Sequence, residues 1–266
     1  MIDLHCHILP HLDDGACSLA ESVAMARMAV ESGVRVMAAT PHCVDGHGQR
    51  ILDQVMILRD VLEEEEIPLE IVPGMEIFGT EDTAAMLLRG RLLTLNHSRY
   101  PLLEFGFRGS GERETEILRD VIREGYRPVV AHPERYGYIQ ENPELINLWH
   151  HMGCLLQINR GSLLGRFGSE SRYMAMELVG RGFACSVASD GHSAQMRTPW
   201  MADVQKLLSV AFSPAVTKEL LEENPLRILR NMPLDPVEPE WFSDSCRYLP
   251  YIQPPFRHIR QQARQE

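Results

Sequence analysis

His5 and His7 stand two apart in Ile2-Asp3-Leu4-His5-Cys6-His7. On a β-strand, a period of two sets both imidazoles on one face, about 7 Å apart. Two imidazoles that close can share one metal ion. His42, Glu76, Glu104 and His132 follow the second to fifth β-like runs, and Asp190 and His192 follow the seventh. Asp14 lies in the first loop, within Leu12-Asp13-Asp14-Gly15. These nine residues therefore sit at or just past the C-terminal ends of strand-like runs. One zinc-like ion takes three or four protein ligands, so the set can serve two or three ions. Three divalent ions outweigh the four carboxylates, which would leave a net positive pocket fit for a phosphate. Imidazole with carboxylate suits Mn, Fe or Zn and needs no thiolate.

The elements that must carry these residues alternate. β-like runs cover residues 2–7, 34–39, 69–72, 100–105, 127–131, 154–158 and 184–189. Helical periodicity marks residues 18–33, 51–66, 81–89, 112–124, 143–152, 170–182 and 199–208. Ser18-Leu19-Ala20-Glu21 has capping-box form, and Ser213-Pro214 opens a further helix with Ser at the N-cap. About seven β/α repeats imply parallel strands and right-handed crossovers. Closed into a ring they make an α/β barrel whose strand ends converge on one functional mouth. Left open they make a doubly wound sheet.

The chain has 266 residues, 44% of them hydrophobic, and a formal net charge of −11. That balance argues against an extended nucleic-acid footprint, which needs a basic face. No apolar run approaches the roughly 18 residues that span a bilayer. The start, Met-Ile-Asp-Leu-His, shows no secretion signal, and the cysteines (Cys6, Cys17, Cys43, Cys154, Cys185, Cys246) are scattered. Reduced thiols in a cytoplasm are the expectation. Prolines crowd the last 34 residues. Residues 1–232 are read as the barrel, and 233–266 as a Pro-rich tail that packs near Trp241 and Tyr251 and is partly disordered.

Simpler readings compete residue by residue. His11, His47, His97, His150, His151 and His258 read as polar loop residues, and Asp13 as a turn residue. Glu76 and Glu104 end apolar runs, where a buried carboxylate without a partner is costly. Coordination would remove that cost. Residues 18–30 are amphipathic and suit packing on a barrel or a subunit contact. Cys154 and Arg160 have the Cys-x5-Arg spacing of a thiol-based phosphatase. However, Leu155-Leu156-Gln157-Ile158-Asn159 has no Gly and reads as a buried strand, not as an amide cradle that activates a thiol.

Seven segments together resemble the polymerase-and-histidinol-phosphatase (PHP) superfamily. They are His5-Cys6-His7-Ile8-Leu9-Pro10, Asp13-Asp14-Gly15, Ala39-Thr40-Pro41-His42, Gly74-Met75-Glu76-Ile77, Leu103-Glu104-Phe105, Ala131-His132-Pro133-Glu134-Arg135 and Ser189-Asp190-Gly191-His192. The His-x-His start is shared across the superfamily. Asp-Asp-Gly combined with His-Pro-Glu-Arg resembles one branch, the bacterial manganese-dependent protein-tyrosine phosphatases of capsule and exopolysaccharide synthesis. The similarity runs through about the first 230 residues.

The resemblance implies a distorted (β/α)7 TIM-like barrel of parallel strands, the PHP fold. It implies three divalent metal ions, Mn2+ first, with Fe or Zn as alternatives. Carried over by position, His5, His7, Glu76 and Asp190 would hold the first ion. Glu76 would bridge to a second, also held by Glu104 and His132. Asp14, His42 and His192 would hold the third. Arg135 and Arg197 match the positions that grip the phosphate. His11 replaces a usual Gly, Met75 a Gln or Ala, and Gly191 an Ala or Met, and none of these removes a ligand.

The implied reaction is hydrolysis of phosphotyrosine by a hydroxide bridging two ions, with no phosphoenzyme. A tyrosyl leaving group has a conjugate acid near pKa ~10, so it departs without a strong general acid. The implied substrate is the tyrosine-rich tail of a membrane-anchored tyrosine kinase. A cytoplasmic enzyme, alone or as a homo-oligomer, would then act at the inner membrane face. A histidinol-phosphatase-like enzyme for small phosphates is the alternative. A non-catalytic module that keeps its metals as structure is a further one.

Overall fold

Short runs buried on both faces build the centre of the molecule, the pattern of strands covered by helices. The computed structural model describes residues 1–43, 48–235 and 238–243. In chain order the strands are β1 (Ile2–Cys6), β2 (Val36–Ala39), β3 (His42–Cys43), β4 (Glu70–Pro73), β5 (Glu76–Phe78), β6 (Leu102–Glu104), β7 (Val129–Ala131), β8 (Leu155–Asn159) and β9 (Ala184–Ala188). Their pairings are parallel. One sheet has the order β1-β2-β4 and the other β3-β5-β6-β7-β8-β9.

The two sheets form one distorted barrel. β3 resumes the line of β2 after Thr40-Pro41, and β5 resumes β4 after Gly74-Met75, so nine strands make seven staves. The ring closes where β1 meets the end of β9. A parallel bridge joins Cys6 to Gly191, the Asp190 N–H donates to His5 O at 2.9 Å, and the His7 N–H donates to Gly191 O at 2.8 Å. The parallel (β/α)7 barrel is thus the observed architecture. One correction concerns His42 and Glu76, which were expected to follow strands and instead begin short ones. Pro41 has no N–H for the ladder. At Gly74 an added Cβ would lie 2.9 Å from Thr40 Cγ2, so only the bare backbone fits the kink.

Helices wrap the outside: α1 (Leu19–Glu31), α2 (Gly48–Glu64), α3 (Thr83–Leu88), α4 (Glu112–Arg123), α5 (Gly137–Glu141), α6 (Glu144–Met152), α7 (Arg160–Leu163), α8 (Ser169–Gly180), α9 (Ala202–Ala211), α10 (Pro214–Lys218) and α11 (Asn224–Leu229). The Ser18 hydroxyl caps α1 by accepting from Glu21 N, and Ser213 caps α10 with Pro214 in its first turn. α1 turns Ser22, Met25, Ala26 and Ala29 onto the barrel. None of the helices, searched over the described residues, is long and apolar enough to cross a membrane.

The described part of the tail docks on α6. Phe242 is buried, and its backbone exchanges two hydrogen bonds with the Asn147 side chain, at 2.8 and 3.1 Å. His150 and His151 were read as polar loop residues, although the helix expected over residues 143–152 includes them. They lie instead on the last turn of α6, and His151 stacks on Trp241 at 4.5 Å between centroids. His47, Cys246, Tyr251 and His258 fall outside the described residues.

Candidate metal centre

All nine expected ligands meet at the C-terminal mouth of the barrel. His5 and His7 are fully buried, with their Nε2 atoms 3.2 Å apart. Glu76 Oε2 lies 3.1 Å from the first and 3.2 Å from the second. Asp190 Oδ1 lies 3.7 and 3.6 Å from the same pair. Glu76 Oε1 is 2.9 Å from His132 Nε2. His42 Nδ1 is 3.1 Å from Glu76 Oε2 and 2.8 Å from Glu104 Oε1. Asp14 Oδ1 stands 3.6 Å from His42 Nε2 and 3.5 Å from His192 Nε2.

Four overlapping donor sets each fall within 4.8 Å: His7 with Asp14, His42 and His192; His5 with His7 and Asp190; His5 with Glu76 and His132; and His42 with Glu76 and Glu104. Glu76 is central to this arrangement because four imidazoles surround its carboxylate.

Local backbone explains part of the convergence. β1 turns His5 inward, and His7 follows at the same period. His132 and Asp190 have φ of 37° and 51°, left-handed conformations at the ends of β7 and β9. Such backbone costs about 1–3 kcal/mol in a non-glycine residue and collects at functional sites. Gly15 lets the first loop close over His7, since a Cβ there would come within 2.2 Å of His7 O.

The donor chemistry fits divalent ions. His5 Nδ1 donates to Gln157 Oε1 at 2.9 Å, His7 Nδ1 to Asp13 Oδ2 at 2.6 Å and His192 Nδ1 to the Asp190 carbonyl at 3.0 Å. Those outer bonds fix each ring's tautomer and leave an Nε2 lone pair facing inward. Asp190 Oδ1 and His192 Nε2 are buried with no hydrogen-bond partner. Buried polar atoms without a partner are costly unless a cation supplies one.

Burial alone would neutralise the carboxylates, but the imidazoles prevail. Glu76 is held well below the usual range by His5 and by bonds with His132, His5 and His7. Asp190 falls to about 2 under His5, His132 and Arg197 despite its burial. Burial also lowers His7, yet Asp13 and Glu76 lift it to about 10. His192, whose ring lies 3.8 Å from that of His7, is pushed to about 4 by burial and by this neighbour. Two imidazolium ions at that separation repel, so a proton on one excludes it from the other.

Arg135 and Arg197 stand at the rim, with side chains 19% and 35% exposed. Both reach Asp190 Oδ2, Arg135 Nη1 at 3.5 Å and Arg197 Nη2 in closer contact, and Asn159 Nδ2 donates to the same oxygen.

Three residues carry more than their sequence context indicated. Asp13 is the turn residue expected, accepting from Gly15 N at 2.9 Å, and it is also an orienting carboxylate that bonds His7 and accepts from His42 N at 2.7 Å. Its carboxyl is held at about 2, because His7 outweighs burial. Gln157, an amide between Leu156 and Ile158 in the buried strand β8, orients His5, and that polar side chain among apolar neighbours was the available signal. Arg160, the arginine of the Cys-x5-Arg spacing, donates to Asp203 at 2.8 and 2.5 Å and to Thr198 O at 3.0 Å. It braces the segment that carries Arg197. Cys154 is buried and its thiol is pushed up to about 12 by that burial, so the Cys-x5-Arg spacing is not an activated thiol.

A seven-stave parallel barrel with a multi-imidazole, multi-carboxylate mouth defines the PHP class of α/β proteins. Residues 1–230 match the family model for capsular polysaccharide synthesis, CpsB/CapC, and the chain belongs to that family. The tyrosine-protein phosphatase YwqE of Bacillus subtilis is 37% identical over 235 residues, 87% of this chain and 92% of the relative. The tyrosine-protein phosphatase CpsB of Streptococcus pneumoniae is 32% identical over 238 residues, 86% of this chain and 98% of the relative. A crystal structure from a study of YwqE and CpsB, described there as unique metal-dependent tyrosine phosphatases, matches with a TM-score of 0.86 and 35% identity. The match covers 91% of this chain and all of that one. A dihydropyrimidinase from Brevibacillus agri shares the fold alone, at a TM-score of 0.53 and 9% identity.

Proposed function

We propose that this chain is a metal-dependent protein-tyrosine phosphatase. The convergence of nine donors at one mouth, flanked by Arg135 and Arg197, carries the reading. Its relatives' names support the reaction. His5, His7, Glu76 and Asp190 would hold one divalent ion, Glu76, Glu104 and His132 a second, and Asp14, His42 and His192 a third, with Mn2+ as the first choice of metal.

When bound, such ions polarise phosphoryl oxygens and lower the pKa of water. The chain itself supplies position and charge. Arg135 and Arg197 offer planar N–H edges that can each bind two phosphoryl oxygens. Asp190 sets where those edges sit, because both guanidiniums lean on its Oδ2. Asp13 and Gln157 keep the rings of His7 and His5 in register. A phenolate leaves with a conjugate-acid pKa of about 10, so the site needs no strong acid beside it. The substrate would be a tyrosine-phosphorylated protein of capsule synthesis, such as the tail of a membrane-anchored kinase, met in the cytoplasm at the inner membrane face.

The test is turnover of a phosphotyrosine peptide by the purified chain. Activity should vanish with chelator and return with Mn2+. Chelator-insensitive turnover, or an equal preference for histidinol phosphate, would overturn the reading.

A further inference from the structure

The Arg135 guanidinium carbon lies 4.7 Å from the Phe107 ring centroid and 4.3 Å from that of Phe167. Arg197 lies 5.9 Å from the Phe167 ring. Neither ring belongs to the core. Phe107, three residues beyond Glu104, is 45% exposed, and its centroid is 6.2 Å from the ring of His132. Phe167 is half-buried and lies on the bare backbone of Gly161, where an added Cβ would come within 2.4 Å of the ring. Phe78, two residues beyond Glu76 on the same face of β5, is 49% exposed. Aromatic surface is therefore presented to solvent beside a highly polar donor cluster.

A phosphate monoester of a phenol has two unlike ends, a dianion and a flat apolar ring. The donors and arginines suit the first end. An exposed aromatic face backed by a guanidinium suits the second, because ring–ring and cation–ring contacts both favour it. We infer that Phe107 and Phe167 form a subsite for the aryl ring of the substrate, so that the mouth selects aryl over alkyl phosphates. This rests on the phosphatase reading. The Arg135 guanidinium backs the ring subsite, while Phe167 and Asp190 Oδ2 also hold it in place for the phosphoryl oxygens, so the two ends of the substrate can be weakened separately.

Non-hydrolysable ligands test the subsite without leaving-group effects. Calorimetric titration of the Mn2+-loaded chain with phenylphosphonate and methylphosphonate measures each affinity directly. The wild-type chain should bind phenylphosphonate about tenfold more tightly, the scale of one good aromatic contact. Phe107→Ala should bring the two affinities within about threefold of each other while changing methylphosphonate binding less than about twofold. Phe107→Leu, which keeps apolar bulk, should lose an intermediate amount and serves if the alanine variant does not fold. No wild-type preference for phenylphosphonate would overturn the inference. So would an equal loss for both ligands, which would mean that the rings only hold Arg135. Turnover of p-nitrophenyl phosphate by the wild-type chain is measured separately. Its absence would remove the phosphatase reading, whereas turnover without a ring preference would remove only the subsite.

Discussion

His7 Nδ1 and Asp13 Oδ2 lie 2.6 Å apart, a bond that ties the first stave of the barrel to its first loop. A carboxylate behind a metal-ligating imidazole fixes the ring and raises its basicity. Asp13→Ala should therefore lower metal affinity by about 10- to 100-fold, measured by titration of the metal-free chain. Asp13→Asn, which keeps one acceptor oxygen, should fall between. Unchanged affinity in both variants would return Asp13 to the role of a turn residue.

Arg160 and Asp203 should respond unequally to truncation. The Arg160 side chain is 3% exposed and that of Asp203 is 35% exposed. Asp203→Ala strands a buried guanidinium with Thr198 O as its remaining acceptor, a loss of about 3–5 kcal/mol. Arg160→Met leaves a carboxylate that water can reach, and about 1–3 kcal/mol is expected. Denaturant midpoints check the order, and the reverse order would refute the account. Both variants should also weaken phosphate binding, because the Arg197 segment loses its brace.

Metal removal should cost stability as well as activity. Without cations the mouth brings together Glu76, Asp190 and five imidazoles, most of them buried. Ligand that binds only the folded state adds about 4 kcal/mol at a thousandfold excess over its Kd. The Tm of the chelated chain should rise progressively as Mn2+ is added. A Tm independent of metal concentration would contradict the ligand set.

Thiol chemistry should be irrelevant to turnover. Among the described cysteines Cys17 is exposed, while Cys6, Cys154 and Cys185 are buried. Burial pushes Cys154 up to about 12 and Cys185 to about 11, far from a thiolate at neutral pH. Cys154→Ala should keep phosphatase activity within about twofold, and iodoacetamide should label Cys17 without inhibition. Loss of activity in Cys154→Ala with unchanged Tm would revive a thiol mechanism.

The β/α alternation and the nine donors were legible from residue type and spacing. A parallel strand ends where an apolar run turns polar, and in a barrel all such ends face one way. Glu76 and Glu104 stood out because a carboxylate closing an apolar run demands a partner. Other features needed the folded chain. β3 and β5 are two and three residues long, too short to carry a period of their own. Gln157 reaches His5 across 152 positions, and Arg160 reaches Asp203 across 43, separations that leave no local pattern to read. Asp13 and Asp14 are neighbours of one type in one loop, yet one turns back to His7 and the other toward His42 and His192. Residue order tells which groups can bind a cation, but closure of the barrel brings them within reach of one another, and that closure depends on contacts between distant parts of the chain.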